Sequence, residues 1–463
     1  MRPETAHPEP LEPAPPPGSP MPPATLARTP APRATLFTLG CRLNQTETFL
    51  LRGKLEAAGY EIVPWGAAAS LAIINTCAVT QLAAAKCRQS IRQFIAANPT
   101  AFTAVVGCYS RLGAAEIAGI AGVDLLLGNN DKLNVLDYVG DGRKNISPLI
   151  VRDRVSREDF SISFAGEAAF DKRAGIKVQD GCGFACSFCV IPRARGGPRS
   201  RNFDNLLAEA RSLAARGVRE LVLTGVNIGL YDSGGRGITD VVDAIASVPG
   251  VDRLRIGSIE PTTVPDAILE RMADPSHPLL PHLHLPMQSG CDRILRDMRR
   301  HYDRDTYAGF VRKAAMRVPG IHIGTDILVG FPGETDAEFS ETLAFFESLP
   351  FASAHVFSYS ERQGTAAAAR RDQVPVPVRQ QRSIALRRAS AARLHQFMEH
   401  HLGRVMPVLF EDPAPGHWPG LTDNYLRVIV PAGQAASLDL ANKVRPVRLE
   451  RIQADFIEGS LAG

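Results

Sequence analysis

The chain has 463 residues, of which 45% are hydrophobic and 22% charged. This length and composition allow several buried cores, and exclude a disulfide-stapled miniprotein, a collagen and a wholly disordered chain. Lys and Arg number 52 against 48 Asp and Glu, and the net charge of +4 neither identifies nor excludes a nucleic-acid binder.

The first 33 residues differ in composition from the rest. They contain 12 of the 35 prolines and few apolar side chains. Such a segment cannot bury enough apolar surface to offset its ordering entropy. Residues 1–33 are therefore predicted to form a disordered, proline-rich extension.

Residues 34–150 alternate between apolar strands and helices. The expected strands lie at 34–40, 70–76, 103–107 and 123–128. The longer expected helices lie at 46–60 and 83–99. Buried strands that alternate with helices are typical of a parallel sheet covered on both faces. This segment is predicted to be a flavodoxin-like α/β domain.

Residues 165–396 repeat the strand–helix pattern. The six expected strands lie at 175–180, 220–225, 253–258, 282–285, 322–330 and 353–359. Six such units are two short of an eightfold barrel. The segment is therefore predicted to be a partial, open (β/α)6 barrel.

The period changes towards the end of the chain. Residues 376–402 are basic and helix-like, and the later segments 405–412, 425–431 and 443–452 have the period of strands separated by Gly and Pro turns. Residues 397–463 are predicted to be a small antiparallel β-barrel.

The eight cysteines bear on the compartment and on the chemistry. We see no secretory signal, and no apolar run approaches the roughly 18 residues of a membrane helix. We therefore expect a cytoplasmic protein with no membrane partner, whose thiols stay reduced. Cysteines in such a protein are more often metal ligands, catalytic groups or packing residues than disulfides.

The strongest chemical signal is the segment Cys182-Gly-Phe-Ala-Cys186-Ser-Phe-Cys189, just after the first barrel strand. Barrels build their active sites at this end of the strands. Three thiolates can bind three irons of a [4Fe–4S] cluster and leave the fourth iron open for a small molecule. The alternatives are a zinc site, although no fourth Cys or His follows closely, and three unrelated free thiols.

This C-x3-C-x-aromatic-C spacing, with Phe188 as the aromatic residue, resembles the radical S-adenosylmethionine (radical-SAM) family over about residues 170–395. The resemblance implies that the open iron binds the amino and carboxylate groups of S-adenosylmethionine. One electron from the cluster would then split the sulfonium and give a 5′-deoxyadenosyl radical.

Three more cysteines share a topological position. Cys41, Cys77 and Cys108 each follow a predicted strand of the first domain. The carboxyl ends of parallel strands meet at one edge of the sheet, where open α/β sheets bind ligands. The sequence therefore predicts a second three-cysteine cluster site, with buried cysteines at strand ends as the alternative.

Two such trios followed by a β-barrel resemble the methylthiotransferase family, from about residue 34 to 458. The strings that carry the resemblance are TLGCRLNQTE (38–47), NTCAVT (75–80), VVGCYSRLG (105–113), QDGCGFACSFCVIPRARG (179–196), HLHLPMQSG (282–290), TDILVGFPGE (325–334) and LTDNYLRV (421–428). The last string resembles the RNA-binding TRAM module. The string LGCRLNQTE is most similar to the branch that acts on tRNA threonylcarbamoyladenosine, rather than on tRNA isopentenyladenosine or a ribosomal-protein aspartate.

The resemblance implies an enzyme that adds a methylthio group to C2 of the modified adenosine beside the anticodon, at position 37. It implies two [4Fe–4S] clusters, on Cys41, Cys77 and Cys108 and on Cys182, Cys186 and Cys189, and S-adenosylmethionine. Its partners would be the tRNA anticodon stem-loop and an electron donor such as flavodoxin or ferredoxin. A rival hypothesis is an iron–sulfur RNA-binding sensor without turnover.

Further residues are candidates for contacts with cofactor or RNA. The cofactor candidates, from their positions at the barrel mouth, are Phe188, Gly225, Asn227, Glu260, Gln288 and Asp326. The RNA candidates, from charge and stacking capacity, are Arg193, Arg195, Tyr425 and Arg427. His282 and His284 alternate along a strand and are interpreted as core histidines.

Overall fold

The computed structural model describes residues 31–151, 158–164, 173–435 and 438–462. The predicted extension, residues 1–33, lies almost entirely outside the described residues. Within the described ranges, no helix is both long enough and apolar enough to cross a bilayer.

The first part of the chain forms a six-stranded parallel sheet. Its strands are β1 (Arg33–Thr38), β2 (Glu61–Ile62), β3 (Leu71–Thr76), β4 (Phe102–Gly107), β5 (Leu125–Leu127) and β6 (Leu149–Val151). The order β2-β1-β3-β4-β5-β6 contains the flavodoxin-like order, which confirms the prediction. Every residue of β3 and β4 is buried, as expected for a sheet covered on both faces.

Helices cover this sheet. They are α1 (Arg42–Ala57), α2 (Gln81–Ala97), α3 (Cys108–Leu112), α4 (Ala114–Ala118) and α5 (Leu136–Val139). Helix α2 begins after Thr80, whose hydroxyl accepts a hydrogen bond from Ala83 N. Helix α1 starts four residues before the predicted 46–60. Its polar first turn hides the start from hydrophobic periodicity, although Asn44 in that turn and Glu47 in the next are buried.

The second part of the chain forms the predicted partial barrel. The eight strands of this part are β7 (Arg173–Lys177), β8 (Gln179–Asp180), β9 (Arg199–Ser200), β10 (Glu220–Thr224), β11 (Arg253–Ile256), β12 (His282–His284), β13 (His322–Val329) and β14 (Ser353–Ser358). The barrel wall has the order β7-β10-β11-β12-β13-β14, with single parallel bridges joining β11 to β12. These six strands match the six predicted ones. The short hairpin β8–β9 brackets the cysteine-rich loop.

Helices pack on the outside of the barrel wall around one large apolar core. They are α7 (Phe203–Ala215), α8 (Ile238–Ala246), α9 (Asp266–Ala273), α10 (Asp292–Asp297), α11 (Arg304–Arg317), α12 (Asp336–Ser348) and α13 (Val376–Glu399). The short helix α6 (Ile191–Arg195) follows the cysteine-rich loop instead, and its Ala194 packs in a core of the first domain. Alternate strand residues point outward into this core, for example Leu283 and Ile323. Their neighbours in the strands point into the barrel lumen.

The chain ends in a closed five-stranded barrel. Its strands are β15 (Val405–Phe410), β16 (His417–Thr422), β17 (Arg427–Pro431), β18 (Val444–Gln453) and β19 (Phe456–Leu461). The prediction of a small antiparallel barrel is confirmed, with one difference: β17 and β19 pair in parallel. One edge of β19 pairs with β18, which in turn pairs with β15. The barrel therefore closes only if the other edge of β19 pairs with β17.

Helix α1 of the first domain lies against the lumen side of β7. Gly175 in β7 makes this contact possible, because a Cβ atom there would lie 2.1 Å from Thr46 Oγ1. The absence of a side chain at Gly175 therefore sets the distance between the first domain and the barrel.

We expect Gly175→Ala to lower the free energy of unfolding by about 1–3 kcal/mol, because the new methyl group overpacks the contact with α1. Adding Thr46→Ala should recover part of the loss. Gly309→Ala in α11 is the matched control: its Cβ would meet nothing within 4 Å, so it should be neutral or stabilising. Denaturant unfolding measures all three, and equal effects of the two glycine variants would contradict the packing argument.

Candidate active site

Three cysteines follow three neighbouring strands of the first sheet. Cys41 precedes α1, Cys77 follows β3, and Cys108 opens α3 after β4. The loops approach closely because Gly40, with φ +117°, has no side chain; a Cβ there would lie 2.9 Å from Cys77 Cβ. We call Cys41, Cys77 and Cys108 the N-terminal trio.

Three further cysteines, Cys182, Cys186 and Cys189, form the loop trio between β8 and β9. The loop begins at Gly181, with φ +73°, where a Cβ would lie 1.9 Å from Gly197 O. Each sulfur accepts one N–H hydrogen bond: Cys182 from Phe184 N (3.4 Å), Cys186 from Arg300 Nη1 (3.3 Å) and Cys189 from Ile191 N (3.4 Å). Such bonds stabilise negative charge on sulfur, as a metal ligand needs.

Both trios line one cavity of about 370 Å³, although they belong to different domains. The cavity is also lined by all the predicted cofactor residues: Phe188, Gly225, Asn227, Glu260, Gln288 and Asp326. The sequence predicts two separate sites at strand ends. The tertiary structure joins them into one.

The donor set of the cavity fits two iron–sulfur clusters. Burial raises the pKa of Cys77 and of Cys189 to about 12. Such thiols stay protonated at neutral pH unless a metal displaces the proton. Among the described residues that line the cavity, no fourth thiol and no imidazole accompany either trio. Three sulfurs each therefore suit two [4Fe–4S] clusters that each keep one open iron.

The loop after β10 offers an unpartnered hydrogen-bond donor. Asn227 is 2% exposed, and within the described structure its Nδ2 has no hydrogen-bond partner. The loop is held by Gln179, whose Oε1 accepts bonds from Val226 N and Asn227 N, both at 3.0 Å. A buried amide without a partner is costly, and it suits a ligand with an acceptor oxygen, such as the carboxylate of S-adenosylmethionine.

Hydrogen bonds at the mouth of the barrel fix two further predicted cofactor residues, Glu260 and Gln288. The Glu260 carboxylate accepts a hydrogen bond from Arg300, the same guanidinium that donates to Cys186. Gln288 has φ +66°, and its backbone is fixed by bonds with Asp326 O and Leu328 N. A non-glycine residue held in this region indicates a constraint from the surrounding site.

The chain matches two family models. The Radical SAM superfamily model matches residues 176–346, and the model described as Uncharacterized protein family UPF0004 matches residues 33–128. Each match covers one of the two domains that carry a trio.

Similar proteins match nearly the whole chain. The threonylcarbamoyladenosine tRNA methylthiotransferase MtaB of Bacillus subtilis is 34% identical, over 91% of this chain and 94% of its own. The MtaB protein of Chlamydia pneumoniae is also 34% identical, over 92% and 97%. A tRNA-2-methylthio-N(6)-dimethylallyladenosine synthase of Maricaulis maris is 32% identical, over 93% and 97%.

The chain belongs to the radical-SAM methylthiotransferase family. The family predicted from the two cysteine trios is therefore confirmed. Among solved structures, the radical S-adenosylmethionine methyltransferase TsrM of Kitasatospora setae is similar, with a TM-score of 0.53 and 16% identity over 73% of this chain and 77% of that one. At this identity the likeness shows the fold alone.

Two of the four RNA candidates in this methylthiotransferase are engaged inside the protein. Arg195 is 2% exposed and donates to Asn44 Oδ1 and to the carboxylates of Glu47 and Asp180. Its guanidinium is therefore engaged between the two domains, and its predicted contact with RNA phosphates stays a prediction that these internal bonds do not favour. Tyr425 is likewise turned inward.

The Tyr425 ring lies under Arg255, and its hydroxyl accepts a hydrogen bond from Arg42 Nη2 at 2.7 Å. It joins the terminal barrel to the floor of the large barrel, in place of the predicted stacking on RNA. Arg193 and Arg427 are exposed. RNA contact stays a prediction for these two arginines.

A group of buried charges beside the cavity connects the two domains. Its members, the ion network, are Glu47, Lys132, Lys177, Asp180 and Arg195, each at most 5% exposed. Glu47 Oε1 lies 2.8 Å from Lys177 Nζ, and Glu47 Oε2 lies 3.0 Å from Arg195 Nη2. Burial alone would raise the pKa of Glu47, but Arg195, Lys132 and Lys177 hold it well below its usual value.

Sequence reasoning missed the ion network and Arg300. Glu47 is the last residue of the motif TLGCRLNQTE (38–47). Its place in a family motif is the one sequence feature that could have marked it as a functional residue. Arg300 lies in an arginine-rich helix end, MRRHYD, where nothing in the sequence connects it to Cys186.

We expect Glu47→Gln to lower the free energy of unfolding by about 3–5 kcal/mol, because the variant leaves buried cations without their counter-charge. The pKa of Glu47 lies well below its usual value. The Glu47 carboxylate therefore contributes its full share to the free energy of unfolding above about pH 4.3, the pKa of Glu in the unfolded chain. That share is lost only as the pH falls through the lowered pKa of Glu47 in the folded protein. The loss should be constant between about pH 5 and 8.

The matched control is Glu56→Gln on the same helix. Glu56 forms a partly exposed i,i+4 pair with Arg52, worth about 0.3–0.5 kcal/mol. Denaturant unfolding at several pH values gives both numbers. A Glu47 variant as mild as the control would show that the ion network does not hold the domains together.

Proposed function

We propose that this chain is a tRNA methylthiotransferase that converts N6-threonylcarbamoyladenosine at position 37, beside the anticodon, to its 2-methylthio derivative. The observation that carries the proposal is the single cavity lined by both cysteine trios. A reaction that abstracts a hydrogen and inserts sulfur at the same carbon needs both functions within reach of one substrate atom. The relatives named for this activity in Bacillus subtilis and Chlamydia pneumoniae match nearly the whole chain.

The chemistry follows from the target bond. C2 of adenine carries an aromatic C–H without an acidic proton, so general acid–base groups alone do not activate it. When bound, the two [4Fe–4S] clusters and S-adenosylmethionine supply the carbon radical, the sulfur and the methyl group. The protein contributes binding, orientation and exclusion of water.

We assign the two trios different tasks. Cys182, Cys186 and Cys189 hold the cluster that meets S-adenosylmethionine, and the N-terminal trio holds the sulfur-handling cluster. The N–H donors on the three loop sulfurs, which include the buried Arg300, would stabilise the ligand charge. Apolar walls around the trios, such as Phe188 and Leu328, keep water from the reacting carbon.

We assign the S-adenosylmethionine contacts to the barrel mouth. Asn227 Nδ2 would donate to the carboxylate, and Gly225 borders the space for the methionine end. Phe188, Glu260 and Gln288 border the same space. Asp326 also lines it, but its carboxylate engages two histidines, which sets it apart from the other candidates.

The substrate and the reductant arrive from outside the cavity. We propose that the exposed Arg193, which follows the loop trio, and Arg427 on the terminal barrel contact phosphates of the tRNA anticodon stem-loop. An electron donor such as flavodoxin or ferredoxin would supply the electron in the cytoplasm.

Nucleosides from a deletion strain test the substrate. We expect loss of the methylthio group from threonylcarbamoyladenosine, with the isopentenyladenosine derivatives unchanged, measured by mass spectrometry of digested tRNA. The relative from Maricaulis maris is named for the other nucleoside, so this measurement separates the branches. Loss from isopentenyladenosine alone, or from a ribosomal protein, would contradict the assignment.

Removing the N-terminal trio tests the division of labour. The triple variant of Cys41, Cys77 and Cys108 to Ala should lose about half of the roughly eight irons. It should still release 5′-deoxyadenosine with S-adenosylmethionine and reductant, because the loop trio is intact, and it should make no methylthio product.

The matched control is the triple Ala variant of the loop trio. It should lose the other half of the iron and all 5′-deoxyadenosine formation. A sensor protein would release no 5′-deoxyadenosine even with both trios intact. Methylthiolated tRNA from the N-terminal variant, with folding verified by circular dichroism, would refute the role of that trio.

A further inference from the structure

Three side chains in the barrel lumen converge on one point. His284 Nε2 lies 3.1 Å from Asp326 Oδ1, and His355 Nδ1 lies 3.3 Å from the same oxygen. The three atoms all lie within 4.8 Å of one another. The residues come from three adjacent strands, β12, β13 and β14, and are separate from both cysteine trios.

The strand register explains this convergence. Asp326 is paired with His355 across β13 and β14, whereas His284 is paired with Gly324, two residues before Asp326. Gly324 leaves the lumen open above it: a Cβ there would lie 3.3 Å from His284 Nδ1. The His284 ring therefore extends over Gly324 to reach Asp326, and its centroid lies 5.3 Å from that of His355.

The spacing matches that of ligands around one metal ion. Nitrogen and oxygen ligands bind Zn²⁺ and related ions at about 2.0–2.2 Å, which places neighbouring ligand atoms about 3.0–3.5 Å apart. The two distances to the carboxylate oxygen, 3.1 and 3.3 Å, fall in this interval, and the two imidazole nitrogens lie within 4.8 Å of each other. Two imidazoles and one carboxylate form a common donor set for divalent first-row transition metals.

The cluster of His284, Asp326 and His355 is accessible from the cavity. Asp326 lines the cavity that holds both trios, and the His355 side chain is 70% exposed. A metal ion here would keep coordination positions open towards the lumen, as sites with exogenous ligands do.

We propose that His284, Asp326 and His355 bind a divalent first-row transition-metal ion through Nε2, Oδ1 and Nδ1. The site is separate from the two cluster sites and does not depend on the proposed function. The competing explanation is that both imidazoles donate hydrogen bonds to the carboxylate and bind no metal.

The test uses Mn²⁺ as the probe, on the protein with both clusters reconstituted under anaerobic conditions. Mn²⁺ prefers nitrogen and oxygen ligands to thiolates, so it leaves the clusters in place. We expect one bound Mn²⁺ per chain, with imidazole nitrogen couplings in its pulsed electron paramagnetic resonance spectrum. Because Mn²⁺ is the weakest binder of the divalent series, a site that retains it binds the later metals more tightly.

Two variants and one control make the test specific. His355→Ala removes an exposed ligand at little risk to folding, and Asp326→Asn removes the charge while keeping the shape. Each should weaken Mn²⁺ binding by at least about tenfold. His395→Ala, an exposed histidine beside Glu399 on α13, should leave it unchanged. Circular dichroism and iron content verify that each variant is folded and loaded.

The outcomes separate the two explanations. If the parent protein shows neither nitrogen-coupled Mn²⁺ nor binding of Co²⁺, which stands higher in the same affinity series, the proposal is wrong and the three side chains form only a hydrogen-bonded group. The same conclusion follows if His355→Ala binds the metal as tightly as the parent. None of these measurements involves turnover. A negative result for the metal site therefore says nothing about the tRNA substrate. A negative result for the tRNA substrate likewise says nothing about the metal site.

Discussion

The buried ion network between the first domain and the barrel is the interaction on which the site depends. Each domain carries one trio at the ends of its own strands, and neither sheet alone brings the two trios together. Glu47 on α1 binds Lys177 of β7 and Arg195 of α6, which directly follows the loop trio. Because these bonds are directional and short, they set one relative placement of the two domains.

Buried ion pairs add little net stability to a domain interface, because the free energy of desolvation offsets much of their attraction. An apolar interface of the same size would allow the two domains to shift along each other, whereas a carboxylate bound to three cations would not. The network also extends to the N-terminal trio: Asn129 accepts from Lys132 and donates to Cys108 Sγ at 3.5 Å. The same polar contacts therefore hold the domains in register and shape the surroundings of a cluster ligand.

The opposite end of the large barrel is closed by similar means. Arg253 and Arg255 bind the buried Glu220 and also donate to carbonyl groups of the β16–β17 turn of the terminal barrel. Burial would raise the pKa of Glu220, but the two arginines lower it to about 2. The Tyr425 ring completes this floor. This floor lies at the end of the strands opposite to the trios, which line the cavity at the carboxyl ends.

Local signals in the sequence determined the secondary structure, the two cysteine trios and the family. Strand and helix periods are properties of a few consecutive residues, and the spacing of Cys182, Cys186 and Cys189 lies within one loop. Tertiary structure alone decided that both trios share one cavity, that Arg195 and Tyr425 face inward, and that Arg300 reaches Cys186. It also brought His284, Asp326 and His355 together from three strands. These features depend on strand register and domain docking, which arise from contacts between residues far apart in the chain.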